Sequence, residues 1–442
     1  MRKLLLIVGV LVLIAGTAFG QVYKFVDDGP FPARPDTFKY AINNGIAVDP
    51  AGNVWLQTYA SNIDTLSFSP DTIVTGALFV YKPDGSQTAF SPVTILSGLD
   101  ETGASVTDTL KASGYGMKTD WGTGNIVSIK PFSYVWTVDY TTGNGIRRTI
   151  APVETGADSK ALAGVGVDGL GEVFVCAVYP SHAGQILNPT DLTKGTLFAD
   201  DIPGYGRDLA ASADGNDVYV PRFSIFKTYV YHCDNGSLGP YAIADSFGIG
   251  ASTECISVSP KNGYVWFDAD SRSVRDSVND YMWSGAFFYA YDPSTKAIVD
   301  SFQAWPTDPL YPRGIAFSPT GDTVYVAHFG AGVPYVERFV WTLVNGVAPV
   351  EDAVPNGYQV SQNYPNPFNP STEIDISIAK AGFVSLKVYD MLGREVNTLL
   401  NQDMPAGVYK AKFDASGLSS GTYVYVLTAG DVHITKKMLL MK

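Results

Sequence analysis

The chain has 442 residues, 43 acidic against 30 basic, a net charge of −13 and 13% aromatic content. That length is too great for one small domain, and plentiful Gly, Tyr and Phe without long Leu/Ala/Glu/Lys stretches favour strands over helices. From Pro355 onward seven acidic and eight basic residues nearly cancel. With Arg2 and Lys3 set aside, the body keeps 36 acidic against 20 basic, net −16, which argues against nucleic acid and anionic membrane surfaces as partners.

The chain opens with Met1-Arg2-Lys3, an apolar run from Leu4 to Ala18, then Ala18-Phe19-Gly20 before Gln21. A basic start, an apolar core of about fifteen residues and small residues at −3 and −1 predict a secretory signal peptide over residues 1–20. A helical membrane anchor needs about 20 apolar residues, and no later run reaches that length. Gln21 stands where a lipoprotein would have Cys.

A repeat fills the body, predicted as residues 21–345. Ile46-Ala-Val-Asp-Pro-Ala-Gly-Asn-Val-Trp-Leu56 returns as Val165–Val175, Leu209–Val220, Ile256–Trp266 and Ile315–Tyr325, and more weakly as Met117–Val127. Each copy is an apolar strand, a tight turn and a second apolar strand. Pro50 and Pro319 pre-set φ for the first corner, and Gly52 and Gly321 supply the positive φ after it. Further strands, such as Leu78–Tyr81, Val135–Val138 and Phe288–Tyr291, alternate with these hairpins. Starts at 46, 117, 165, 209, 256 and 315 give gaps of 71, 48, 44, 47 and 59. A strand-only repeat of this period predicts an all-β, six-bladed β-propeller, with room in the first gap for a seventh blade. The strand Val22–Val26 is expected to complete the last blade. These paired strands and turns resemble NHL-type and two-component-regulator-type propellers, a resemblance of architecture that carries no activity with it.

In such a ring, the loops leading into each first strand and out of each second strand share one face near the central channel, where ligands usually bind. Asn44, Arg207, Asp208, Glu254 and Arg313 precede first strands. Tyr59, His182, Arg222, Asp268, Asp270 and His328 come after second strands. Mixed carboxylates, arginines and histidines suit a polar ligand, a cation or acid–base chemistry, although such loops are polar in any propeller. Asp268-Ala-Asp270 is a pattern that hints at Ca²⁺, far short of an EF-hand ligand set. H-E-x-x-H, G-x-S-x-G and glycine-rich phosphate loops are absent from the sequence. Trp55, Trp136, Trp266, Trp283 and Trp305 would suit sugar stacking or the core. Cys176, Cys233 and Cys255 are expected as buried thiols, with a Cys233–Cys255 bridge as the alternative.

Residues 346–357 read as a linker, with Pro349, Pro355 and Gly357 and no alternation. Next comes Asn363, Tyr364, Pro365, Asn366, Pro367, Phe368, Asn369 and Pro370. Three prolines in so short a run forbid helix and central strand and make an extended strap, with Phe368 free to pin onto the strands C-terminal to it. Strand patterns at 373–379, 383–389, 395–400, 408–413, 422–427 and 433–440 predict a small Ig-like β-sandwich over residues 358–442. The strap, the corner around Gly393, Pro405-Ala-Gly407, the Gly421-Thr-Tyr423 strand start and the basic end Lys436-Lys437-Met438 together resemble the C-terminal sorting domain of type IX (Por) secretion cargo. The resemblance implies recognition by the type IX secretion machinery, translocation across the outer membrane, and cleavage in the linker near residues 350–355. The expected function is an exported cell-surface or secreted propeller that binds a glycan or protein ligand at the channel face. The alternative is an extracellular cation-dependent hydrolase or lyase.

Overall fold

The computed structural model describes residues 22–31, 42–58, 66–67, 72–73, 77–110, 116–130, 134–149, 162–180, 182–236, 239–270, 273, 283, 287–304, 311–329, 336–351, 355, 357–380, 382–404 and 406–442. The expected signal peptide lies outside them, as do Tyr59 and Trp305. Regular structure among the described residues is all β, divided into two compact units, Asp27–Val340 and Trp341–Lys442 with residues 22–26.

The first unit is propeller-like. Its sheets start at the strands Ile42–Val48, Met117–Thr119, Leu162–Val167, Ala210–Ala211, Ile256–Val258 and Tyr311–Phe317, each paired antiparallel with the next strand in the chain. These six first strands touch in chain order, and the last touches the first, so they form a closed ring. The first sheet has three described strands, and the third, fourth and fifth have four each. The wide first gap contributes the hairpin Ile95–Asp100 and Ser105–Thr109, whose first strand runs parallel to Gly145–Arg148 and widens the second sheet. The sixth sheet pairs Tyr311–Phe317, Thr323–Phe329 and the strand starting at Val336, with residues 27–30 of the strand Val22–Pro30 beside it.

The repeat has a side-chain cause. Each first strand ends on Asp49, Asp120, Asp168, Ser212, Ser259 or Ser318, whose oxygen captures backbone N–H groups of its own turn. Asp49 Oδ1 accepts from Ala51 and Asn53 at 2.9 Å each, and Asp168 Oδ1 from Leu170 and Glu172 at 2.9 Å each. Ser212 and Ser318 Oγ accept from Asp217 and Thr323 at 2.9 and 3.0 Å. Gly52 and Gly321 take φ of 82° and 69°, as the turn requires.

Apolar side chains fill the space between neighbouring sheets. Trp55, Leu78, Ile126 and Trp136 share one cluster, and Phe174, Phe198, Val220 and Tyr231 another. Between fifth and sixth sheets Trp266, Phe302, Phe317 and Phe339 pack as tilted rings. Trp55, Trp136, Trp266 and Trp283 are therefore core residues and not a sugar platform. Burying such a ring costs little entropy for the area it removes from water. All three cysteines are buried free thiols, so no Cys233–Cys255 bridge forms.

The second unit is two facing four-stranded sheets. One orders 346–351, Gly407–Asp414, Ser371–Ile378 and Gln359–Val360. The other orders Glu395–Met404, Gly382–Asp390, Gly421–Ala429 and Val432–Leu440. Alternating burial in Gly407–Asp414 and Gly421–Ala429 marks the faces that meet in a core with Ile376, Leu386, Phe413 and Tyr425. Residues 346–351, read as linker from their lack of alternation, are instead strand, with Gly346 opposite Lys412 and Ala348 opposite Lys410. Pro349 is tolerated because that strand lies at the sheet edge.

Candidate functional site

The expected ligand face is a set of buried ion pairs. Arg313 Nη1 hydrogen-bonds Glu254 Oε2, and Arg207 Nε lies 2.8 Å from the same oxygen. Asp208, 1% exposed, accepts from Lys118 Nζ and Ile256 N at 3.0 Å each and from Leu209 N at 2.9 Å. Burial pushes its carboxyl above the ordinary range against the pull of Lys118. Asp268 Oδ1 accepts the backbone N–H of Glu254 and of Cys255 at 2.8 Å each. Its carboxyl titrates well above the usual range, first from burial and then from the charges of Asp270 and Glu254.

The remaining candidates are engaged inside their own surroundings. Arg222 is buried and donates to Ala177 O at 3.1 Å, with burial lowering its pKa. His328 Nε2 lies 2.6 Å from Glu337 Oε2 on the adjoining strand, both side chains buried. The side chains of Asn44 and His182 lie outside the described residues. Among the described residues no three His, Cys, Asp or Glu side chains are grouped to hold a metal ion. In the Asp268-Ala-Asp270 pattern, Asp268 gives its Oδ1 to backbone N–H groups.

A cavity of about 350 Å³ occupies the other, hairpin end of the channel. Every first strand contributes to its wall, through Val48, Thr119, Val167, Ala211, Val258 and Phe317. None of the candidate residues above lines it. One position of the repeat decides its shape: Ala47, Gly166, Ala210, Ser257 and Ala316 are small, and the sixth equivalent is Lys118. A Cβ at Gly166 would sit 2.5 Å from Leu209 Cδ1, so a larger residue there would make its neighbours shift. Lys118 instead reaches past the third sheet to Asp208 and to Ile256 O, 2.7 Å away, and spans the channel. The sequence signal was present, a lone cation in a column of small residues, but it lay in the weakest copy of the repeat.

Asp168 lines the same cavity with its Oδ2 buried and without a hydrogen-bond partner among the described residues. Burial raises its pKa to about 6, opposed by the backbone N–H groups of its turn. At the cavity mouth stands Trp121, 39% exposed. No helix among the described residues is long and apolar enough to cross a membrane.

In the second unit the strap is tied at both ends. Asn363 N donates to Tyr425 Oη at 2.9 Å, and Tyr425 Oη donates to Ser361 O at 2.8 Å. Asn363 Nδ2 donates to Pro365 O and to Thr372 Oγ1 at 3.0 Å each. Phe368 is buried beside Phe413, and its backbone exchanges hydrogen bonds with Leu439 and Met441 at 2.9 and 3.0 Å. Asn366 Oδ1 accepts from Leu439 N at 2.9 Å. Tyr364, 82% exposed, and Lys437 face outward. Gly393 takes φ of 77° at its corner.

Residues 362–441 match the model of the family described as "Secretion system C-terminal sorting domain". No curated protein matches the chain. Among solved structures, the chain is similar to PorZ, a surface component of the type IX secretion system of Porphyromonas gingivalis. Identity is 14% and the TM-score 0.43, over 91% of this chain and 59% of that one. It is also similar to the Swd1 β-propeller domain of Myceliophteria thermophila, with 10% identity and a TM-score of 0.44, over 72% of this chain and all of that one. The chain thus spans about three fifths of PorZ's length. Residues 362–441 are a secretion system C-terminal sorting domain, and the protein carrying them is exported to the cell surface or secreted.

Proposed function

We propose that the body is a six-bladed β-propeller, that the tail is an Ig-like sandwich read by the type IX secretion machinery after a signal peptide has taken the chain across the inner membrane, and that the propeller is a binding module for a glycan or protein ligand. The contact ring of six first strands supports the blade number, since the extra residues of the first gap extend the second sheet. Two packed four-stranded antiparallel sheets support the Ig-like reading.

The axial cavity is the observation that carries binding. It is open, mostly apolar and walled by every blade, the character of a ligand site. Hydrolysis or elimination would need a free general acid or base, or a cage of carboxylates around a cation. The buried carboxylates at the far end of the channel serve arginines, Lys118 and backbone N–H groups instead, and Asp168 is a lone carboxylate in the cavity lining among the described residues, without a second carboxylate beside it. The test is to purify the full chain lacking residues 1–20 and screen it against glycans and peptides, with and without EDTA. Chelator-insensitive binding without turnover is expected. Cleavage of any bound ligand, abolished by EDTA, would establish the hydrolase or lyase.

A further inference from the structure

Among the described residues the channel is barred part-way along its length. Lys118 crosses it, and beyond that strut lies the Glu254 cluster with Arg207 and Arg313. What remains is a blind pocket opening among the hairpin turns, the face opposite the one that loop position suggested.

The pocket's chemistry narrows its ligand. Lys118 directs two of its three N–H bonds to Asp208 and Ile256, leaving one donor at the floor. The Ser257 hydroxyl, on the neighbouring residue of that strand, makes no hydrogen bond among the described residues and also lines the pocket. Asp208 neutralises Lys118, so the floor offers hydrogen bonds without net charge. The body's charge of −16 repels anions. Between the floor and the mouth the walls are mostly aliphatic, broken by Thr119 and by Asp168, whose Oδ2 can accept from a ligand hydroxyl, and at the mouth Trp121 offers an exposed indole. A half-exposed indole has a face for C–H groups and a floor donor suits hydroxyl oxygens. A single ring fits about 350 Å³, and a blind floor admits a chain end but not a chain passing through.

We propose that this pocket binds the terminal residue of a neutral glycan, its apolar face against Trp121 and its hydroxyls toward Lys118 and Ser257. The proposal rests on the reading of the propeller as a binding module, and names its mouth and its ligand.

The experiment is calorimetric titration of the full chain lacking residues 1–20 with neutral oligosaccharides, uronic-acid oligosaccharides and peptides. Trp121→Ala and Ser257→Ala are the variants, both at positions where a smaller side chain leaves the core intact. Expected is binding of a neutral oligosaccharide, weakened at least tenfold by Trp121→Ala and severalfold by Ser257→Ala, with quenched tryptophan emission. Competition by the free terminal monosaccharide but not by the internal one is expected as well. Neutral-glycan binding that both variants leave unchanged would overturn the pocket and keep the module. Binding only of uronic-acid chains or peptides would overturn the neutral glycan and keep the module. A wild-type chain that binds none of the three would overturn the binding module itself.

Discussion

Replacing Lys118 with Met tests whether the channel strut holds the ring together. The ammonium sits 3.0 Å from Asp208 Oδ2 and 2.7 Å from Ile256 O, and its side chain is 14% exposed against 1% for Asp208. Met fills similar volume but leaves the buried carboxylate with only the N–H groups of Leu209 and Ile256. Breaking a buried pair from one side costs about 3–5 kcal/mol. An unfolding entropy of about 2.1 cal/mol/K per residue, over roughly 300 residues, turns about 4 kcal/mol into a fall in Tm of about 6 °C. The assay is thermal and urea unfolding of the full chain at pH 7, followed by tryptophan emission. Asp208→Asn alone should destabilise too, and the double variant should recover about 2 kcal/mol of the summed loss, because no lone charge stays buried. Strictly additive losses, or a Lys118→Met chain as stable as wild type, would refute the strut.

Asp168→Asn keeps the Oδ1 acceptor of its turn while removing a carboxyl whose pKa stands at about 6. A raised folded-state pKa gives stability that is complete below the unfolded value near 3.9 and is lost as pH climbs through about 6. The wild type should therefore weaken between pH 4 and about 7 relative to the variant, by about 1–2 kcal/mol after screening by the cavity; parallel pH curves would contradict this. Asp268→Asn should unfold within about 1 kcal/mol of wild type, since its oxygen can still accept from Glu254 and Cys255, whereas Asp268→Ala strands two buried N–H groups and should cost about 2–3 kcal/mol in urea. In the tail, Phe368→Ala should cost about 3–4 kcal/mol by opening the core beneath the strap. Fractionation of cells should then find the chain retained in the periplasm, and normal surface delivery would separate the strap's packing from its recognition.

Much of the fold was legible because its causes are local. Asp or Ser closing each first strand and glycine at the turns are short-range signals, and they gave the hairpins and the ring. The strap was legible for the same reason, since three prolines leave one conformation class and Phe368 the one anchor. The site was not, because its meaning depends on which end of the channel is blocked. Arg207, Glu254 and Arg313 do come together, yet they satisfy one another. Lys118 reads as an ordinary strand residue until the ring places Asp208 opposite it. The strand at 346–351 escaped notice because Pro349 and the lack of alternation mask an edge strand that pairs on one side only.

The sixth sheet takes its outermost strand from residues 27–30, and Phe31 N donates to Val336 O at 2.8 Å, with Phe31 packed on both Tyr81 and Tyr325. Ring closure therefore joins positions some three hundred residues apart, a contact among the slowest to form in folding. For an exported chain this sets an order of events. While one end is on each side of the outer membrane, the aromatic faces that Phe31 bridges stay uncovered and the circle stays open. Passage sheet by sheet would leave that seam exposed for the whole transit. The body is better suited to cross already closed, or to close only once its last strand has arrived.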